Sequence, residues 1–180
     1  MHGIVFVELK KYVVARLGPD TWNQLLDHAG LPGKAYLPRE VYPDAEAGKL
    51  VASASQLTGK PAGDILEDFG DFIAPDLLAM YGAQVNPAWK TLEVLEHTEE
   101  TIHRMVRTKQ EGASPPELRA ERVGPDEVLV RYASPRRMCS LAKGIARGLG
   151  RHYQQVVVVR EPKCMHKGDP ECTIYVRVAR

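Results

Sequence analysis

Gly112-Ala113-Ser114-Pro115-Pro116-Glu117-Leu118-Arg119-Ala120-Glu121-Arg122-Val123-Gly124-Pro125-Asp126-Glu127-Val128-Leu129-Val130-Arg131-Tyr132-Ala133-Ser134-Pro135-Arg136 decides the fold, because the hydrophobic period changes within it. Up to Gly112 the apolar residues recur at the spacing of a helix face. Beyond Pro115-Pro116, residues 118–123 read as a short strand and Gly124-Pro125-Asp126 as a turn. Val128, Val130 and Tyr132 then fall two apart, the period of one strand face.

Working upstream, the expected elements are helices. Residues 88–111 form a long helix carrying Leu92, Leu95, Ile102 and Val106. Pro61 opens an earlier helix with Ile65, Leu66, Phe69, Phe72 and Ile73. Another spans residues 45–57, a Pro- and Gly-rich loop covers 31–45, and two more helices cover 4–16 and the stretch around Trp22, Leu25 and Leu26. Downstream, residues 137–149 return to helix and close at Gly148 and Gly150, and residues 153–159 and 173–178 read as strands. The fold class is therefore α+β: a helical part over about 1–112, then a small antiparallel sheet of about four strands with one inserted helix over about 113–180.

The 180 residues suit one compact domain. Apolar residues make up 44% and charged residues 26%, a globular balance. Lys and Arg number 24 against 23 Asp and Glu, which disfavours nucleic acid or an anionic membrane as partner. No apolar run approaches the ~20 residues of a membrane span, and the start lacks a basic secretory n-region, so a cytoplasmic location is expected. Three cysteines then read as free thiols or metal ligands.

Of the six histidines, two share the long helix. At about 100° per residue His103 borders the apolar stripe, whereas His97 faces nearly the opposite way. His103 can thus reach a buried cofactor or serve as a hydrogen-bonded structural residue. Tyr132, Ser134 and Arg136 are two apart, so on an extended strand they project together and can grip a carboxylate or phosphate. A solvated strand end is the alternative. No phosphate loop, paired-carboxylate motif or nucleophile elbow suggests an enzyme.

These residues carry a family resemblance. The opening Met1-His2-Gly3-Ile4-Val5-Phe6, Gly18-Pro19-Asp20-Thr21-Trp22, Tyr42-Pro43-Asp44 and Thr58-Gly59-Lys60-Pro61 resemble the H-NOX (heme–nitric oxide/oxygen binding) family. So do His103, Pro116 thirteen residues later, and Tyr132-x-Ser134-x-Arg136. The resemblance implies heme b (protoheme) buried between the two parts, with His103 as the axial ligand of the iron. Tyr132, Ser134 and Arg136 would hold the heme propionates, and Pro116 would press on the porphyrin. Val5, Leu9, Ile73, Leu77 and Leu141 would line the gas side. Relatives that hold oxygen place a tyrosine hydroxyl where Leu141 stands, so NO and CO are the expected ligands, with little stable oxygen binding. NO would weaken the iron–His103 bond, and the helix and heme would relax. The output partner in trans would be a histidine kinase or a diguanylate cyclase, in a bacterial setting.

Cys139, Cys164 and Cys172 with His166 form a set of zinc-ligand types. Some H-NOX proteins hold a structural zinc with three cysteines and a histidine, but the family's histidine position is Glu161 here. The alternatives are a site completed by His166 or Glu161, three thiols that stay reduced, and a redox disulfide between Cys164 and Cys172. The competing function is a cysteine-based zinc or redox regulator on the same fold.

Overall fold

The computed structural model describes residues 1–109 and 111–179; Gln110 and Arg180 lie outside the described residues. Helices α1 (Gly3–Leu17), α2 (Thr21–His28), α3 (Asp44–Thr58) and α4 (Ala62–Tyr81) form the first part. Phe6, Trp22, Leu25, Leu50 and Phe69 make its buried core. Next come α5 (Thr91–Thr98), a π-helical turn (Glu99–His103) and α6 (Arg104–Lys109), one continuous helical run. The remainder holds β1 (Glu117–Gly124), β2 (Glu127–Ala133), α7 (Cys139–His152), β3 (Val157–Lys163) and β4 (Cys172–Val178). Among the described residues the strands form an antiparallel sheet in the order β1-β2-β4-β3, which bears out the α+β reading.

The differences have local causes. The helix expected from residue 88 starts at Thr91, because the Asn86 carbonyl accepts from the Trp89 amide and the Asn86 side chain from Ala88. The strand expected from residue 153 starts at Val157, because α7 runs on to His152 and a turn through Gln154 (φ 56°) follows. Gly148 does not close α7. A Cβ there would strike Asp71 and Ala74 of α4, and one at Gly144 would strike Glu67. These glycines bring two helix backbones together, a packing role that looks like a stop signal in sequence. The α4–α7 pair, α1, the α5–α6 run and the sheet together enclose a space.

Candidate functional site

That space is a cavity of about 270 Å³, lined chiefly by apolar side chains of α1, α4, α7 and the sheet. His103 enters it from the π-helical turn, with its side chain 15% exposed. A π turn winds more widely than an α turn, so it resets the helical phase just where the imidazole sits. Burial pushes the His103 pKa below its usual value, against the pull of Glu99, so the ring is neutral near pH 7. Nδ1 lies 3.2 Å from Glu99 Oε2. Glu99 also accepts from Arg107 and from the Leu118 amide at 3.1 Å. Although burial opposes its ionisation, these donors hold the Glu99 carboxyl below the ordinary range. His97 sits apart, its ring stacked on Trp89 at 4.4 Å.

Pro116 lines the same cavity. Its carbonyl accepts from Arg107 at 3.0 Å, so one guanidinium ties Glu99 to the loop that carries Pro116. Sequence spacing gives no sign of that link.

Tyr132 and Arg136 both line the cavity, but Ser134 does not. Strand β2 ends at Ala133, and the Arg137 amide bonds back to the Ser134 carbonyl, so the strand alternation expected through Arg136 gives way to a turn. Ser134 is buried beneath that turn, where its hydroxyl accepts from the Arg136 amide at 3.3 Å. The Tyr132 hydroxyl accepts from the Met138 amide at 3.1 Å. The Arg136 guanidinium bonds Asp44 at 3.1 Å and also reaches the Ser114 carbonyl. Asp44 in turn pairs with the amino group of Met1 at 2.7 Å, and these cations hold its pKa low despite burial.

Val5, Ile73, Leu77 and Leu141 line the cavity as the sequence placed them. Leu9 does not. It faces a separate cavity of about 120 Å³ beside Tyr12 and Leu50, because the stripe of α1 turned to the large cavity is Ile4, Val5 and Glu8. One residue further along a helix is about 100° away. His2, Glu8 and Tyr81 line the cavity as well. Helical phase alone could have flagged Glu8, three residues beyond Val5.

On the far side of α7, ligand atoms of Cys139, Glu161, Cys164 and Cys172 lie within 4.8 Å of one another. All three thiols are free, and burial pushes the Cys172 thiol up to about 11. Lys143 pairs with Glu161 at 3.0 Å. His166 is outside this group. It is exposed, and its Nε2 lies 2.6 Å from the Arg137 carbonyl oxygen.

The described helices include none long and apolar enough to cross a membrane. The family model described as Haem-NO-binding matches residues 2–161. A crystal structure of an H-NOX protein from S. oneidensis in the Fe(II)NO ligation state is 27% identical, covers 100% of both chains and superimposes with a TM-score of 0.92. An NMR structure of an H-NOX domain from Shewanella oneidensis in the Fe(II)CO ligation state is 27% identical, covers 100% of this chain and 99% of that one, and gives a TM-score of 0.88. An H-NOX mutant structure from T. Tengcongensis is 21% identical over 100% of this chain and 98% of its own, with a TM-score of 0.85, and shares the fold. With a match to the family model over nearly its whole length, this chain belongs to the Haem-NO-binding (H-NOX) family.

Proposed function

We propose that the protein is a non-catalytic heme-based sensor of NO and CO in which His103 ligates the iron. The observation that carries this reading is the neutral His103 imidazole, held by Glu99, entering a largely apolar cavity that Arg136 also lines. The residues present fit heme b. An apolar cavity suits a porphyrin, Arg136 and Tyr132 suit its two carboxylates, and a neutral imidazole offers a lone pair to a metal. When bound, heme supplies an iron with one protein ligand and an open position for a diatomic gas. An ionised Glu99 can only accept, so its contact favours the proton of His103 on Nδ1, the tautomer whose Nε2 lone pair can ligate a metal. Val5, Ile73, Leu77 and Leu141 exclude water from the gas side. Ser134 supports the clamp through the Arg136 backbone rather than through its own contact with the cavity.

The Glu99–Arg107–Pro116 link gives the reading an output path. A displacement of the His103 helix must carry or break this chain of contacts, which joins it to the Pro116 loop. The family resemblance supports a histidine kinase or a diguanylate cyclase as recipient of the signal in trans. The test is the visible spectrum of the ferrous protein with NO and CO added in turn. A Soret band that shifts with each gas is the expected result.

A second reading concerns the cysteines and is an adjunct to the first. What favours a structural zinc is the convergence of Cys139, Cys164, Cys172 and Glu161. The carboxylate stands where His166 was one expected ligand. Stoichiometric zinc in metal analysis, lost in Cys172→Ser, tests it.

A further inference from the structure

Glu8 is an anomaly in the cavity. It is 2% exposed, it lines the space among Ile4, Val5, Ile73 and Leu77, and its Oε2 has no hydrogen-bond partner among the described residues. Its other oxygen, Oε1, accepts from Lys11 at 2.7 Å, and the same ammonium reaches Asp76 of α4 at 3.3 Å. One oxygen of the carboxyl is therefore tied to the Lys11–Asp76 ion pair, while the other is buried without a partner on a residue that lines the cavity. A buried polar atom left alone costs free energy, so a fold tolerates it where a ligand meets it.

We propose that Glu8 is the hydrogen-bond donor on the gas side of the cavity, a buried carboxyl whose free edge sets the polarity felt by the diatomic ligand. This inference rests on the heme reading. Its geometry is independent of that reading: Glu8 lies on the stripe of α1 that also presents Ile4 and Val5 to the cavity, while His103 comes from the α5–α6 run. A carboxyl donates only when protonated. Burial raises its pKa, Asp76 adds to the rise, and Lys11 opposes it. The other ionisable groups on residues lining the cavity are the Met1 amino group, His2, Tyr81, Tyr132, Arg136 and His103. Of these, His2 also has buried ring nitrogens without partners.

The site is thus polar by a different device from a hydroxyl at position 141. The carboxyl can lose its proton, so ligand polarity becomes dependent on pH and on the Lys11 ion pair.

The experiment is infrared spectroscopy of the ferrous–CO complex from mildly acidic to mildly alkaline pH, in wild type, Glu8→Gln, Glu8→Leu and Lys11→Met. A donor near bound CO lowers the C–O stretching frequency. In wild type the band is expected low at acidic pH and shifted up as Glu8 ionises. Glu8→Gln, an isosteric donor, is expected to keep the low band at every pH, and Glu8→Leu the high one. Lys11→Met is expected to carry the wild-type transition to higher pH, since Lys11 favours the ionised form. A wild-type band indifferent to pH and unmoved in Glu8→Leu overturns the proposal, as does a pH transition that survives in Glu8→Gln and so belongs to His2. Absence of any CO band overturns the heme reading itself, and this inference with it.

Discussion

His103 Nδ1 lies 3.2 Å from Glu99 Oε2, across the π-helical turn that both residues bound. The acceptor is itself fixed by Arg107 and by the Leu118 amide, so the imidazole is oriented by an anion that cannot swing away. A carboxylate partner raises the basicity of a ligating histidine and sets its tautomer.

Glu99 is therefore a positioning residue for His103. Replacing it with Ala is expected to lower heme affinity about 10–100-fold. Glu99→Gln keeps an acceptor but removes the charge, and should lower the iron–histidine stretching frequency in the resonance Raman spectrum of the ferrous protein. An unchanged frequency in Glu99→Gln would mean the charge does not reach the ring.

Helix α7 can approach α4 only because Gly144 and Gly148 lack side chains. Gly144→Ala and Gly148→Ala should each cost about 1–3 kcal/mol in chemical denaturation. Gly48, on α3, has open space around it, and Gly48→Ala should add up to about 1 kcal/mol. Equal effects at the three positions would show that close helix approach is not what those glycines provide.

The fold raises the Glu8 pKa, so its protonated form is the one the folded state favours. Its contribution to stability is complete below the unfolded value, about 4.3, and is lost as pH rises through the folded value. Glu8→Gln cannot ionise. It should match wild type in thermal unfolding at acidic pH and exceed it increasingly toward neutral pH. A stability difference that does not change with pH would remove ionisation of Glu8 as its cause.

The change of hydrophobic period near Pro115-Pro116 was enough to place the sheet after the helices, since strand and helix faces repeat differently. Helical phase puts His103 beside the apolar stripe but leaves a structural role open; the roles of His103 and Pro116 come from the family resemblance. What escaped depended on three dimensions. The π turn is invisible to a fixed 100° step, and Gly148 looked like a helix end because a glycine that packs and one that stops a helix are the same letter. Ser134 was assigned to the cavity by strand alternation, which ends one residue before it. Glu8 was passed over because a charged residue on an amphipathic helix is ordinarily on its solvent face, and here it is buried.

The central claim, that His103 holds the heme, is tested most directly by absorption spectra of His103→Ala and His97→Ala purified side by side. His103→Ala should lack a Soret band and regain it when imidazole is supplied, while His97→Ala, whose ring stacks on Trp89, should keep the wild-type spectrum. Equal heme retention by the two variants without added imidazole would contradict the account.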